Sequence, residues 1–194
     1  MPEPAFLVEG QMEQLILQHI CPGKTVRRIG CNGDAVSMEA VARALTVHRR
    51  LLKTCCPVVI LLDRERRQQD CAALRSELSR ILDGGGYGGR YVVAFADRTI
   101  ENWILADWDN IRSCQPHFRE LQGQSEGCHG KAVIRRLMPK GTIYHETTIG
   151  VSLFKLCRPT ELYRRSNSFR DLVDELDFDC WWLNQIEHEV PPYV

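Results

Sequence analysis

The sequence predicts an α/β protein, a doubly wound and mostly parallel sheet with an α-helical C-terminal extension. Three observations carry that expectation. The β-branched run Val58 to Leu62, closed by Asp63, shows no polar alternation and suits a strand covered on both faces. Short apolar runs alternate with helical periodicity up to about residue 108, which calls for right-handed crossovers between parallel strands. From about Asp109 onward only helical or irregular patterning remains.

Ala5 to Glu9 (AFLVE) reads as the first strand, and Gly10 opens a helix in which Met12, Leu15, Ile16 and Ile20 share a face. Pro22-Gly23 stops that helix, and Thr25 to Gly30 is the second strand. Val36 to Lys53 has helical spacing through Met38, Val41, Ala42, Leu45 and Leu52, with Ser37 near its start. Val58 to Asp63 follows as the third strand. Gln69 to Leu82 is helical through Leu74, Leu78 and Ile81 and runs into the glycine-rich loop 84–89. Arg90 to Ala96 is the fourth strand, and Thr99 to Asp107 is a helix with Thr99 near its cap. Lys131 to Met138, Thr147 to Cys157 and Ser168 to Leu176 are the helical stretches of the extension. The expected organisation is an α/β domain over 1–108, a helical extension over 109–177 and an acidic aromatic tail over 178–194.

The chain has 194 residues, 44% hydrophobic and 26% charged, ordinary globular usage that excludes wholesale disorder and fibrous repeats. No apolar run approaches the ~20 residues that span a bilayer, and Met1-Pro2-Glu3-Pro4 does not begin a secretory signal. A cytoplasmic location is expected, with the nine cysteines as thiols rather than disulfides. The formal neutrality conceals an asymmetry. All 25 Lys and Arg lie in residues 1–170, whereas 171–194 hold Asp171, Asp174, Glu175, Asp177, Asp179, Glu187 and Glu189 without a basic residue. A basic body permits a polyanionic partner.

In a parallel sheet, ligands gather outside the carboxyl ends of the strands. Glu9 ends the first strand and Asp63 the third, and Glu65, if the chain stays extended, points the same way as Asp63. Glu101 and Asp107 follow the fourth strand from that same edge. Carboxylates so crowded repel unless a cation neutralises them, and hard oxygen donors favour Mg²⁺ or Mn²⁺ over zinc. The chemistry expected of such a centre is phosphoryl transfer.

Three stretches, Glu9-Gly10 with Glu13 (VEGQME), the apolar strand running into Asp63-Arg64-Glu65, and the segment from Arg98 to Asp107 (RTIENWILAD), resemble the TOPRIM superfamily of topoisomerases, primases and overcoming-lysogenisation-defect nucleases. The similarity is greatest to its small stand-alone bacterial branch, domain of unknown function 4276. It covers most of the chain, since Lys131, Tyr144 and Ser168-Phe169-Arg170 also fall where that branch has similar residues. The resemblance implies a Mg²⁺-dependent nuclease with Glu9 as general base and metal ligand, and Asp63 and Glu65 as further ligands. Glu101 and Asp107 are additional candidate ligands, and Lys131 would neutralise charge on the phosphate. It further implies a role in bacterial defence against phage or plasmids beside an ABC-type ATPase. The alternative is a non-catalytic subunit that keeps the fold and regulates or recruits that ATPase. Two departures stand out: the family's Asp-x-Asp is here Asp63-x-Glu65, and no Lys follows Tyr144-His145-Glu146.

Other signals carry less. The glycines at 84–89 lie between a helix and a strand and lack a following Gly-Lys-Ser/Thr, so they read as a loop. Cys128-His129 and His19-x-Cys21 lack zinc spacing. Arg doublets recur at 27-28, 49-50, 66-67, 135-136 and 164-165. Of these, Arg66 and Arg67 lie beside the proposed metal site and are candidates to hold a nucleic-acid backbone.

Overall fold

The computed structural model describes residues 3–31, 33 and 35–186, so Glu187, Glu189 and Tyr193 of the tail lie outside the described residues. Strands β1 (Ala5–Val8), β2 (Thr25–Arg28), β3 (Val58–Asp63) and β4 (Tyr91–Ala96) form one sheet in the order β2-β1-β3-β4, parallel throughout. The register sets Val8 beside both Arg28 and Leu61, and Asp63 beside Ala96.

The pleat divides the core in two. Phe6, Val8, Val59, Leu61, Val92 and Ala94 face helix α1 (Gln11–Ile20). Ala5, Leu7, Val58, Ile60, Leu62, Val93 and Phe95 face α2 (Met38–Leu51) and α3 (Cys71–Gly84). The fold is therefore doubly wound, which is why β1 and β3 read as unbroken apolar runs. From β1 the chain leaves over one face to β2, then returns across the other face to β3. The sheet thus has its topological switch point between β1 and β3, where open α/β sheets place their ligands.

Local chemistry starts the helices. Ser37 Oγ accepts from the Ala40 N–H at the head of α2, and Asp70 Oδ1 accepts from the Ala73 N–H at 2.7 Å at the head of α3. The helix read over 99–107 is two helices, α4 (Glu101–Ala106) and α5 (Trp108–Cys114), because Asp107 leaves helical geometry between them. Next comes α6 (Gly130–Leu137). The stretch 147–157 is a π-helical turn, Glu146–Gly150, continued by α7 (Val151–Phe154). Pro159 opens α8 (Pro159–Arg165), which periodicity alone does not reveal, and α9 (Asn167–Asp174) lies against β4. Trp103, Trp108, Phe154 and Phe169 from these later helices join the α1-side core. Among the described residues no helix is long and apolar enough to cross a membrane.

The cysteines do not all remain thiols: Cys21 and Cys180 form a disulfide. Sequence spacing could not reveal it, because the partners are 159 residues apart and meet only after α1 and the tail have docked. Around this bond the tail packs rather than floats. Phe178 meets Phe6 edge-on, Trp182 packs against Phe154 and Phe169, and Trp181 Nε1–H donates to the His19 carbonyl. The acids just before the tail are paired as well, Asp171 and Glu175 with Arg75, and Asp177 with Arg90. Residues 176–179 lie by Pro4, Pro57 and Arg90, at the amino ends of the strands and across the sheet from Glu9 and Asp63.

The two tail tryptophans should separate in a urea melt. Trp182 is 4% exposed and Trp181 49%. Trp182→Ala is expected to cost about 3–5 kcal/mol and Trp181→Ala under about 1 kcal/mol.

Candidate metal centre

The β1–α1 turn supplies two of the acids. Glu9 leaves the strand 5% exposed, and Gly10 begins the helix. The Gly10 N–H donates to Glu13 Oε2 at 3.0 Å, half of a capping box that fixes the Glu13 carboxylate at the helix mouth. A Cβ on Gly10 would stand 2.7 Å from that oxygen, so a larger residue here would push the Glu13 carboxylate aside.

Asp63 closes β3 on the same pleat as Val59 and Leu61 and therefore on the α1 face, 8% exposed. The strand stops there and does not stay extended through Glu65. Glu65 has φ +56° and Arg98 φ +61°, left-handed values uncommon for residues with a side chain. The two turns are laced together. Glu65 N–H donates to the Arg98 carbonyl at 2.7 Å, Arg98 NH1 donates to the Glu65 carbonyl at 2.9 Å, and the Arg64 guanidinium binds Asp97. The expected convergence of Glu65 with Asp63 holds, but a tight turn produces it rather than strand alternation.

One carboxylate oxygen from each of Glu9, Asp63 and Glu65 lies within 4.8 Å of the other two, a cluster that could hold a metal ion. Glu9 Oε1 and Asp63 Oδ1 are buried with no hydrogen-bond partner among the described residues. Glu13 and Glu101 line the same open cleft of about 510 Å³. Burial pushes the Glu9 carboxyl up to about 8. Burial first, then the charges of Glu13 and Glu9, raise Asp63 well above the ordinary range. Glu13 is raised by burial and by Glu101. Without a cation the centre therefore holds protons.

Glu101, at the head of α4, is buried and accepts a hydrogen bond from the Tyr144 hydroxyl at 3.1 Å. Lys131 projects from the first turn of α6 into the cleft and forms an ion pair with Glu146. Its position depends on Gly130, where a Cβ would come within 2.7–3.0 Å of Asn102 and the Glu101 backbone. Arg66 and Arg135 line the cleft rim. Arg67 is engaged within the fold: its NH1 donates to the carbonyls of Asp63 and Arg64 and its NH2 to those of Gly33 and Val36, clasping the turns behind the acids. Asp107 does not join the cluster. It is fully buried and taken up by Arg158, whose N–H, Nε and NH2 donate to it at 2.8, 3.1 and 2.7 Å. Ser168 and Phe169 also lie elsewhere, Ser168 accepting from Trp103 Nε1 and Phe169 in the core.

Sequence reasoning left Glu13, Tyr144, Arg135 and Glu146 without a role at the site. Glu13 had a readable signal, because it occupies the buried stripe of α1 with Ile16, Leu17 and Ile20, where an acid requires a reason. Tyr144 was marked only by the family resemblance, which gave no role for its contact with Glu101, and Glu146 had no signal, since it reaches the cleft through the tertiary path of the chain.

The family described as domain of unknown function (DUF4276) has a model that matches residues 8–177, a span that takes in every acid of the cluster. No curated protein and no solved structure matches the chain.

Two measurements follow from these charges. A carboxyl raised from 4.5 to about 8 keeps its proton in the folded state where the unfolded chain has lost it. The contribution of Glu9 to the stability of the metal-free protein should therefore be full below about 4.5 and fall as pH rises toward about 8. Divalent-metal binding should release protons and tighten over the same interval, seen as a buffer-dependent enthalpy in calorimetry, and Glu9→Gln should flatten both trends. Asp107→Asn, by contrast, should lower stability by about 3 kcal/mol and leave metal affinity unchanged, because it breaks a buried pair remote from the cluster.

Proposed function

Because the chain belongs to the DUF4276 family, whose model spans both strand ends that carry the acids, we propose that it is a Mg²⁺-dependent nuclease that hydrolyses phosphodiester bonds of DNA or RNA. The observation that carries this reading is the pair of buried, unpartnered carboxylate oxygens on Glu9 and Asp63, in an open cleft that also bears Lys131 and Arg135. A structural ion pair would have satisfied those oxygens. Left bare beside cationic side chains, they suit a hard cation and an anionic substrate together. The resemblance of VEGQME, Asp63-Arg64-Glu65 and RTIENWILAD to the TOPRIM superfamily supports the same reading.

On this proposal Glu9, Asp63 and Glu65 hold Mg²⁺ or Mn²⁺, which when bound supplies Lewis acidity at the phosphoryl oxygens. Glu9, made more basic by burial, accepts the proton of the attacking water at a carboxylate oxygen. Lys131 exchanges its contact with Glu146 for the phosphate and offsets the charge that develops there. Glu101, oriented by the Tyr144 hydroxyl, adds negative charge on the far side of the cleft and helps retain the cation. The setting proposed is the bacterial cytoplasm, in defence against phage or plasmids beside an ABC-type ATPase, and that part rests on the resemblance alone.

A panel of single- and double-stranded DNA and RNA incubated with Mg²⁺ or Mn²⁺ tests the assignment. Cleavage is expected from the parent, reduced roughly 100-fold or more in Glu9→Gln and in Asp63→Asn. Both metal-free variants should melt at or above the parent's temperature, since each removes a carboxyl whose ionised form burial disfavours. Parent-like cleavage by both would reject the metal-nuclease reading, and a silent parent that still binds metal would favour the non-catalytic subunit.

A further inference from the structure

Resting on the nuclease reading, we propose that the substrate strand passes across the acidic centre and continues along the open edge of β2, held there by Arg27 and Arg28. A second cleft, of about 770 Å³, shares Glu9 and Gly10 with the metal-centre cleft and extends along β2 as far as Lys24. In the strand order β2-β1-β3-β4, β1 lies between β2 and β3. The two clefts therefore depart from the β1–α1 turn on opposite sides, and Glu9 lies where they meet, with Asp63 and Glu65 in the first.

Both arms carry cationic side chains. Lys131 and Arg135 line the first, beside the acids of the centre, and Arg27 and Arg28 line the second, where Glu9 is the sole acid among the described residues. Arg28 shares its pleat with Val26, on the α1 face by Gln14, whose Nε2 donates to the Val26 carbonyl. Arg27 shares the pleat of Ile29 on the α2 face. The two guanidinium groups thus straddle an edge that no further strand covers among the described residues. Among those residues neither side chain is paired with an acid, whereas Lys24 is tied to Glu3. On the α2 side the cleft also contains His48, whose Nδ1 is buried without a hydrogen-bond partner among the described residues.

The sugar–phosphate backbone of a nucleic-acid strand is the ligand that gains from this layout. It offers guanidinium-matching oxygens at intervals on both sides of the scissile group, whereas a mononucleotide could occupy one arm only. A peptide strand adding to β2 would use the edge backbone but leave the paired arginines unmatched.

The test uses Glu9→Gln protein, which binds without cutting, and 20-nucleotide fluorescein-labelled single strands of DNA and of RNA, with anisotropy followed over a salt series. Adding Arg27→Ala/Arg28→Ala should weaken binding roughly 10- to 100-fold at low salt and make the log–log salt slope shallower by roughly one to two, two phosphate contacts having been lost. Arg112→Ala/Arg119→Ala removes equal charge from the exposed helical side and should bind as the Glu9→Gln protein does. Arg27→Gln/Arg28→Gln gives the same readout should alanine disturb the strand. Unchanged affinity and slope in the β2 variants, or equal weakening in the Arg112/Arg119 control, overturns the track and leaves the nuclease reading standing. Absence of oligonucleotide binding to a protein that still takes up Mn²⁺ overturns the nuclease reading itself, and the track with it.

Discussion

Glu9 and Asp63 stand side by side at the carboxyl ends of adjacent strands, withdrawn from water, each with an oxygen that nothing in the described protein satisfies. Burying one such carboxylate costs several kcal/mol, and two together repel. Relaxation would take the simplest course by swinging one acid into solvent. The neighbouring turns oppose this at every point. Arg67 locks the backbone of Asp63 and Arg64 to the β2–α2 connection, the Gly10–Glu13 contact fixes the mouth of α1, and the Glu65–Arg98 exchange fastens the β3 turn to the β4 turn. Such over-determination is characteristic of sites where local energy is raised for function.

The helical extension completes the enclosure. Gly150, at the end of the π-helical turn, lies so near the Tyr144 hydroxyl and the Met12 thioether that a Cβ there would come within 2.5–2.8 Å of them. Gly130 allows the equivalent close approach of α6 to the head of α4. Two glycines thus draw two later segments over α1 and α4, one bringing the hydroxyl that orients Glu101 and the other bringing Lys131. Seen this way the extension is the roof of the cleft, and the sheet is its floor. The described part of the tail serves neither. It is anchored through Trp182 in the α1-side core and through the Cys21–Cys180 bond, and residues 178–179 lie by the amino ends of the strands.

What could be read from the sequence was whatever depends on periodicity and strand order. Val58 to Leu62 announced a strand covered on both faces, and the placement of Glu9 and Asp63 at strand ends followed from the parallel sheet. What could not be read was set by contacts distant in the chain. Asp107 has the same sequence character as Glu101, and only the arrival of Arg158, 51 residues later, makes it a structural acid. Arg66 and Arg67 are likewise adjacent and identical in type. The turn directs one to the cleft rim and the other into four backbone carbonyls. The disulfide belongs to this class too, since composition argued against it and only the docked tail brings the two sulfurs together.

The glutamate of Asp63-x-Glu65 suits the turn that follows β3. In an extended continuation of β3, a residue two beyond Asp63 would project parallel to it, and a short acid would suffice. Here the chain leaves the strand at Asp63 and Glu65 adopts a left-handed conformation, which costs about 1–2 kcal/mol for a residue with a Cβ. That conformation makes the reciprocal bonds with Arg98 possible, so the turn is tightened at the expense of the direct line to the centre. Glutamate extends the carboxylate by one further carbon–carbon bond, about 1.5 Å, and its oxygen lies within 4.8 Å of those of Glu9 and Asp63. Side-chain length and backbone conformation at this position are therefore one adaptation. The longer acid lets the β3 and β4 turns be bound to each other without withdrawing the third oxygen from the cluster.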